Sequence, residues 1–185
     1  MHYQIRTTTT SDEAFLWEML YHAAMMAQDG AVSAAEAHHH PFLAVYVQAW
    51  GQSGDLGSIA VESATGQPIG AAWLRVLPGN EHRYRGVGEH IPELALAVHP
   101  HARGQRVGEA LLLHLLEQAR SWYDGVVLSV RAENPAVRLY QRLGFVIIDS
   151  TTNRVGGQSL VMLKQYHVGE EDANADARSS PGSTP

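Results

Sequence analysis

Residues 92–120, PELALAVHPHARGQRVGEALLLHLLEQAR, constrain this chain most, because one continuous run reads as strand, basic turn and helix. Glu93, Leu94, Ala95, Leu96, Ala97 and Val98 form a short, mostly apolar segment closed by His99-Pro100, the pattern of a buried strand. From Val107 the apolar residues recur at helical spacing: Val107, Leu111 and Leu115 in one row, Leu112, Leu116 and Ala119 in the next. Between strand and helix lies Arg103-Gly104-Gln105-Arg106-Val107-Gly108. Gly104 and Gly108 carry no side chain, so the amides that open the helix can approach a ligand closely. Those amides and the helix dipole favour a phosphate, and Arg103 and Arg106 supply compensating charge.

A second block follows. Val126-Val127-Leu128-Ser129-Val130 is a short β-branched strand. Asn134 suits an N-cap, Pro135 the first helical turn and Gly144 a left-handed stop, which brackets a helix of about two turns. Phe145-Val146-Ile147-Ile148 then begins another strand.

The first block resembles motif A of the GNAT superfamily, the acetyl-coenzyme A dependent N-acyltransferases. That signature is Gln or Arg, two residues, Gly, one residue, then Gly or Ala. Arg103 fills the first place and Gly108 the last, while Arg106 stands where the family carries glycine. The pattern Asn134, Ala136, Leu139-Tyr140, Gly144-Phe145 resembles motif B, with six residues from Asn134 to Tyr140 where many members have seven. The resemblance implies an α/β (α+β) GNAT-type fold. Its sheet is mixed and mostly antiparallel, with a splayed central parallel strand pair and helices on both faces. It also implies that acetyl-coenzyme A is the cosubstrate. The turn Arg103, Gly104, Gln105, Arg106, Val107 and Gly108 would bind its pyrophosphate, with Asn134 also at the cofactor. The backbone of Ala97 and Val98 would face the pantetheine arm, with an amide there polarising the thioester carbonyl.

Direct transfer to a primary amine needs a neutral nucleophile, a polarised thioester and a proton for the leaving thiolate. Glu93 is the candidate base, acting directly or through water, although a carboxylate at a strand end is as readily a solvated one. Tyr140 is the candidate acid; outside the motif, a tyrosine on a short helix would be read as packing. The alternative reading is a non-catalytic acyl-coenzyme A binding or regulatory module. A plain nucleotide-binding domain is disfavoured, since Gly86-Val87-Gly88 lacks a third glycine and no Gly-Lys-Ser/Thr loop exists.

The remaining features bound this reading. At 185 residues and 45% hydrophobic, the chain can bury one substantial core. It has no cysteine, which removes disulfides, thiolate metal sites and thiol nucleophiles. A net charge of −6 argues against nucleic acid as a partner. No apolar signal core or membrane-length run is present, so no membrane contact and a cytoplasmic location are expected. No metal is expected either: His38, His39 and His40 are consecutive and diverge, and His99-x-His101 reads as a loop. Residues 1–168 are expected to form the acetyltransferase domain, with a homodimer as its candidate assembly, and 169–185 a disordered acidic, then Ser/Pro/Gly-rich tail.

Ahead of the motifs, Tyr3 to Arg6 should be a strand, and Thr10-x-x-Glu13 a capping box before a helix burying Phe15, Leu16, Met19, Leu20, Ala23, Met26 and Ala27. A short helix is expected over 41–50, strands over 58–62 and 68–77, a flexible loop over 78–90 and a last strand over 159–165. Trp17, Tyr21, Phe42, Tyr46, Trp73 and the 78–90 loop are the candidates for holding the small-molecule or peptide amine.

Overall fold

Strand alternation sets the architecture. In β3 (Pro68–Arg75), Ala71 and Trp73 pack on one side of the sheet, Ala72 and Leu74 on the other. β4 (Glu93–Val98) repeats this, with Ala95 and Ala97 against Leu94 and Leu96. Both faces are therefore apolar and both need a cover. The computed structural model, which describes residues 1–26, 30, 35–79, 84–153 and 155–166, supplies it with helices on each face.

On the alanine face lie α1 (Glu13–Ala23), α2 (Ala35–His38) and α3 (Pro41–Ala44), burying Leu16, Trp17, Met19, Leu20 and Leu43. On the leucine face lie α4 (Val107–Ala119) and α5 (Ala136–Arg142). α4 buries both rows read from its sequence, Val107, Leu111, Leu115 and Leu112, Leu116, Ala119. Each of those leucines stabilises the fold by roughly 1.5–3 kcal/mol on burial.

The sheet adds β1 (Tyr3–Thr7), β2 (Leu56–Glu62), β5 (Gly125–Arg131), β6 (Val146–Thr152) and β7 (Gln158–Gln165). Its order is β1-β2-β3-β4-β5-β7-β6. Every neighbouring pair is antiparallel except β4 and β5, which are parallel. This is the mixed α/β sheet implied by the motifs.

Several local expectations are corrected. The cap before α1 sits one residue earlier, at Thr9 and Asp12, ahead of a 3-10 turn over Thr10–Asp12. Arg6 fixes it there: its guanidinium grips Asp12 through two bonds of 2.7 and 2.8 Å, holding the carboxyl below its usual pKa and against the Thr9 amide. Within α1, Trp17 is buried and Phe15 only half-buried; Ala27 lies outside the described residues. The helix expected to reach Trp50 stops at Ala44 and continues as turns. There Arg75 takes the carbonyls of Val45, Gln48 and Ala49. In the 78–90 loop, Tyr84 and Val87 are buried against Val127, Val161 and Leu163, so this part of it is packed rather than loose.

Candidate active site

The parallel pair β4–β5 meets at a single register point, Glu93 opposite Val127, closed by a bond from the Val127 amide to the Pro92 carbonyl at 3.0 Å. Beyond it the strands part. A cleft of ≈ 1050 Å³ opens there, with Leu94 to Val98 on one side and Leu128 to Arg131 on the other. Backbone that would have been paired is left facing a groove, which suits a ligand that itself carries amides.

At one end of the groove is the basic turn. Arg103 lines the cleft and donates from Nε to the Val98 carbonyl at 3.1 Å. Gly104 has φ +75°, and Arg106, the residue before α4, has φ 60° and ψ 14°. Arg106 thus holds the left-handed conformation that glycine adopts without strain, which gives a physical reason for glycine at this place in the motif. Gly108 has ordinary room around it: an added Cβ would meet Val98 Cγ2 at 3.7 Å and Leu96 Cδ2 at 3.8 Å. Val107 turns its side chain into the core, while Gly104 and Arg106 are exposed. No residue from Gly104 to Gly108 is in the lining of the cleft itself; the turn lies beyond its rim.

Asn134 and Tyr140 come to the cleft on the segment after β5. The Asn134 side-chain oxygen accepts from the Ala136 amide at 2.9 Å, starting α5, and Gly144 at φ +87° ends the turn that follows it. Tyr140 is 7% exposed and packs edge-on against Phe145 at 5.8 Å. Burial raises its phenol well above the ordinary tyrosine value, so it holds its proton through the whole neutral range.

Glu93 lies at the closed end of the groove, 3% exposed. Its Oε1 accepts from the Tyr84 hydroxyl at 2.7 Å and from the Tyr46 hydroxyl in a very short bond. Tyr46 is positioned by β3 from below. Trp73 Nε1 donates to the Tyr46 carbonyl at 3.1 Å, and Arg75, itself paired with Asp55 at 2.5 Å, anchors the neighbouring carbonyls. Glu93 is therefore a buried, hydrogen-bonded carboxylate rather than a solvated one.

The arrangement of a splayed parallel pair, a basic turn opening a helix, and an Asn-to-Tyr segment on the groove agrees with a family model, "Acetyltransferase (GNAT) family", which matches residues 17–145. The chain belongs to this acetyltransferase family. The family is one of acyltransferases that use acetyl-coenzyme A. Among curated proteins, it is 37% identical over 86 residues to a mycothiol acetyltransferase of Cellulomonas flavigena. That match covers 43% of this chain and 24% of the relative, so the chain spans only about a quarter of its length. Among solved structures, a GNAT-family acetyltransferase from Streptococcus pneumoniae superposes with TM-score 0.65 at 20% identity, over 90% of this chain and 100% of the other. An aminoglycoside acetyltransferase in complex with coenzyme A superposes with TM-score 0.59 at 20% identity, over 89% and 95% of the two chains. The same enzyme with coenzyme A and kanamycin gives TM-score 0.59 at 19% identity, with the same coverages. These likenesses establish the shared fold.

The cleft lining brings together Glu93, Ala97, Val98, Arg103, Asn134 and Tyr140 from the sequence reading. It also takes in Tyr21, Phe42 and Tyr46 among the residues considered for the acceptor. Trp17 and Trp73 are excluded from that role by burial: Trp17 stacks on His38 at 3.8 Å, and Trp73 is fully enclosed. The tyrosine pair on Glu93 was not legible as a unit, since Tyr46 and Tyr84 reach the carboxylate from separate loops. Among the described residues, no helix is long and apolar enough to cross a membrane.

Proposed function

We propose that this enzyme transfers the acetyl group of acetyl-coenzyme A to a primary amine of a small molecule or peptide by direct attack in the β4–β5 cleft. The observation that carries the reading is the placement of Glu93 and Tyr140 along one groove, between parted strands that offer backbone groups to an extended cofactor arm. In this reading the pyrophosphate rests on the amides from Gly104 to Gly108 with Arg103 and Arg106 beside it, and Asn134 and the backbone of Ala97 and Val98 line the path of the arm.

Glu93 takes a proton from the incoming ammonium, directly or through one water, and leaves a neutral amine. The nitrogen lone pair attacks the thioester carbonyl carbon, an amide at Ala97 or Val98 polarises its oxygen, and the C–S bond breaks as the tetrahedral centre collapses. The Tyr140 hydroxyl gives its proton to the departing thiolate and recovers one, through water, from the nitrogen that has become an amide. The products are an N-acetyl compound and free coenzyme A. Tyr21, Phe42 and Tyr46 give the acceptor side an aromatic wall, and Glu93 gives it a negative end, as an ammonium group requires.

The test is release of coenzyme A thiol from acetyl-coenzyme A across a panel of polyamines, aminoglycosides, amino acids and peptide N-termini. At least one amine class should stimulate release and appear as its N-acetyl product by mass spectrometry. Glu93→Gln can still accept from Tyr46 and Tyr84, so it should fold and bind cofactor yet lose about 10–10²-fold in kcat/KM for that amine. Unstimulated thiol release across the panel, or a Glu93→Gln enzyme of full activity, would overturn the amine reading or the base assignment respectively.

A further inference from the structure

We propose that Glu18, His22 and His99 form a binding site for a divalent transition metal, Zn²⁺ by the chemistry of its donors, where α1 crosses the end of β4. Glu18 and His22 are four residues apart on α1 and so share one face, one turn above the other. His99 follows β4 directly, and its amide is pinned to the Ile69 carbonyl at 2.9 Å. Glu18 Oε1 lies 3.3 Å from His99 Nε2. One donor atom from each of the three residues falls within 4.8 Å of the others.

A tetrahedral Zn²⁺ with nitrogen and oxygen ligands holds its donors about 3.4 Å apart. The His99 ring is already oriented by packing, with Phe15 at 5.9 Å, His101 stacked at 5.4 Å and the His22 ring edge-on at 5.5 Å. Two imidazoles and one carboxylate suit Zn²⁺ rather than Ca²⁺ or Mg²⁺, which take oxygen shells, and three protein ligands leave a position for water. Access is open: Glu18 is exposed, and with His99 it borders a second cavity of ≈ 370 Å³. Arg103, on the basic turn, donates from Nε to the Val98 carbonyl at 3.1 Å.

The expectation of no metal weighed only histidines that neighbour one another in sequence. Folding instead joins a helix pair to a residue far along the chain. A bound ion would tie α1, which carries Tyr21 to the cleft wall, to the strand that carries Glu93 and Val98. The site stands independently of the acyl-transfer reading.

The full chain, stripped with chelator, is titrated with ZnCl₂ by calorimetry and with Co²⁺ by visible absorption. One equivalent should bind at micromolar affinity or tighter, Co²⁺ should show the intense bands of a four-coordinate site, and Zn²⁺ should raise the melting temperature. His22→Ala and His99→Ala should each weaken binding by about 100-fold or more, and Glu18→Gln by about tenfold. His39→Ala, which breaks the His38-His39-His40 run, should leave it unchanged. The proposal falls if no single-equivalent binding occurs at about 100 μM Zn²⁺, or if binding survives both His22→Ala and His99→Ala. Should the histidine variants fail to fold, wild-type affinity in the conservative, exposed Glu18→Gln overturns it equally.

Discussion

On the side of the cleft proposed for the cofactor, β4, the basic turn, α4, β5 and α5 follow one another through residues 93–142, whereas the facing wall gathers Tyr21 from α1, Phe42 and Tyr46 from the α3 region and Tyr84 from a loop. The first half works through backbone: an unpaired strand edge, the start of a helix, a turn with two left-handed residues. The second works through side chains, each delivered by a different element and held by contacts made only after folding. A backbone device needs its residues in order and at fixed spacing, so it leaves a motif. A side-chain device needs only that its parts meet, so it leaves almost none.

The strongest blow to the cofactor half alone is Gly108→Asp. A Cβ there would have ordinary room, so Gly108→Ala should be tolerated, but a carboxylate at the start of α4 would repel the phosphates and compete with them for Arg103 and Arg106. Acetyl-coenzyme A should raise the melting temperature of the wild type, by about 2.7 kcal/mol of stabilisation at a hundredfold excess over Kd. The aspartate variant should lose that shift and all turnover, and the alanine variant keep both. An aspartate variant that still responds to cofactor would show that the phosphates bind elsewhere.

Tyr140→Phe cuts between the halves, because the residue lines the cleft from the first of them and, in the proposed reaction, protonates the leaving group. The ring and its edge contact with Phe145 remain, so folding and cofactor affinity should survive while turnover falls by about 10²–10⁴-fold. The same variant carries a signature in stability. Burial raises the folded phenol above its unfolded value of 10.0, so its contribution is fully present below that pH and is lost as pH rises through the folded value. Denaturant unfolding at pH 9 and pH 11 should show an alkaline loss in the wild type that is smaller in Tyr140→Phe. Full activity in a folded variant would return Tyr140 to packing.

What was legible follows the same division. The strand, turn and helix at 93–119 and the strand and helix at 125–142 could be read to within two residues, because periodicity and capping are local. The splay of β4 from β5 came only through family resemblance, since no spacing encodes where two strands part. Glu93 was legible as a candidate but not its setting: Tyr46 owes its position to Trp73 and Arg75 in a strand well downstream. The early cap at Thr9 was missed because Arg6 decides it from β1. The 78–90 loop misled for another reason, as glycine and proline report turn chemistry and say little about whether Tyr84 and Val87 are packed.

The smallest expected effect is at Arg106, which serves the turn either by its backbone or by its charge. At φ 60° a residue with a Cβ is strained by about 1–2 kcal/mol, and glycine removes that strain. Glycine also adds about 0.5–1 kcal/mol of conformational freedom to the unfolded chain, so Arg106→Gly should gain at most about 1.5 kcal/mol in denaturant unfolding. The exposed guanidinium is then gone from beside the phosphates. Coenzyme A should bind less tightly by a few fold, with a weaker salt dependence, since one fewer cation is screened. A more stable protein with unchanged affinity would mean that the turn binds by its amides and Arg103 alone. A less stable one would mean that Arg106 makes contacts worth more than its backbone strain, and the left-handed arginine would then be a feature this chain maintains rather than a tolerated departure from glycine.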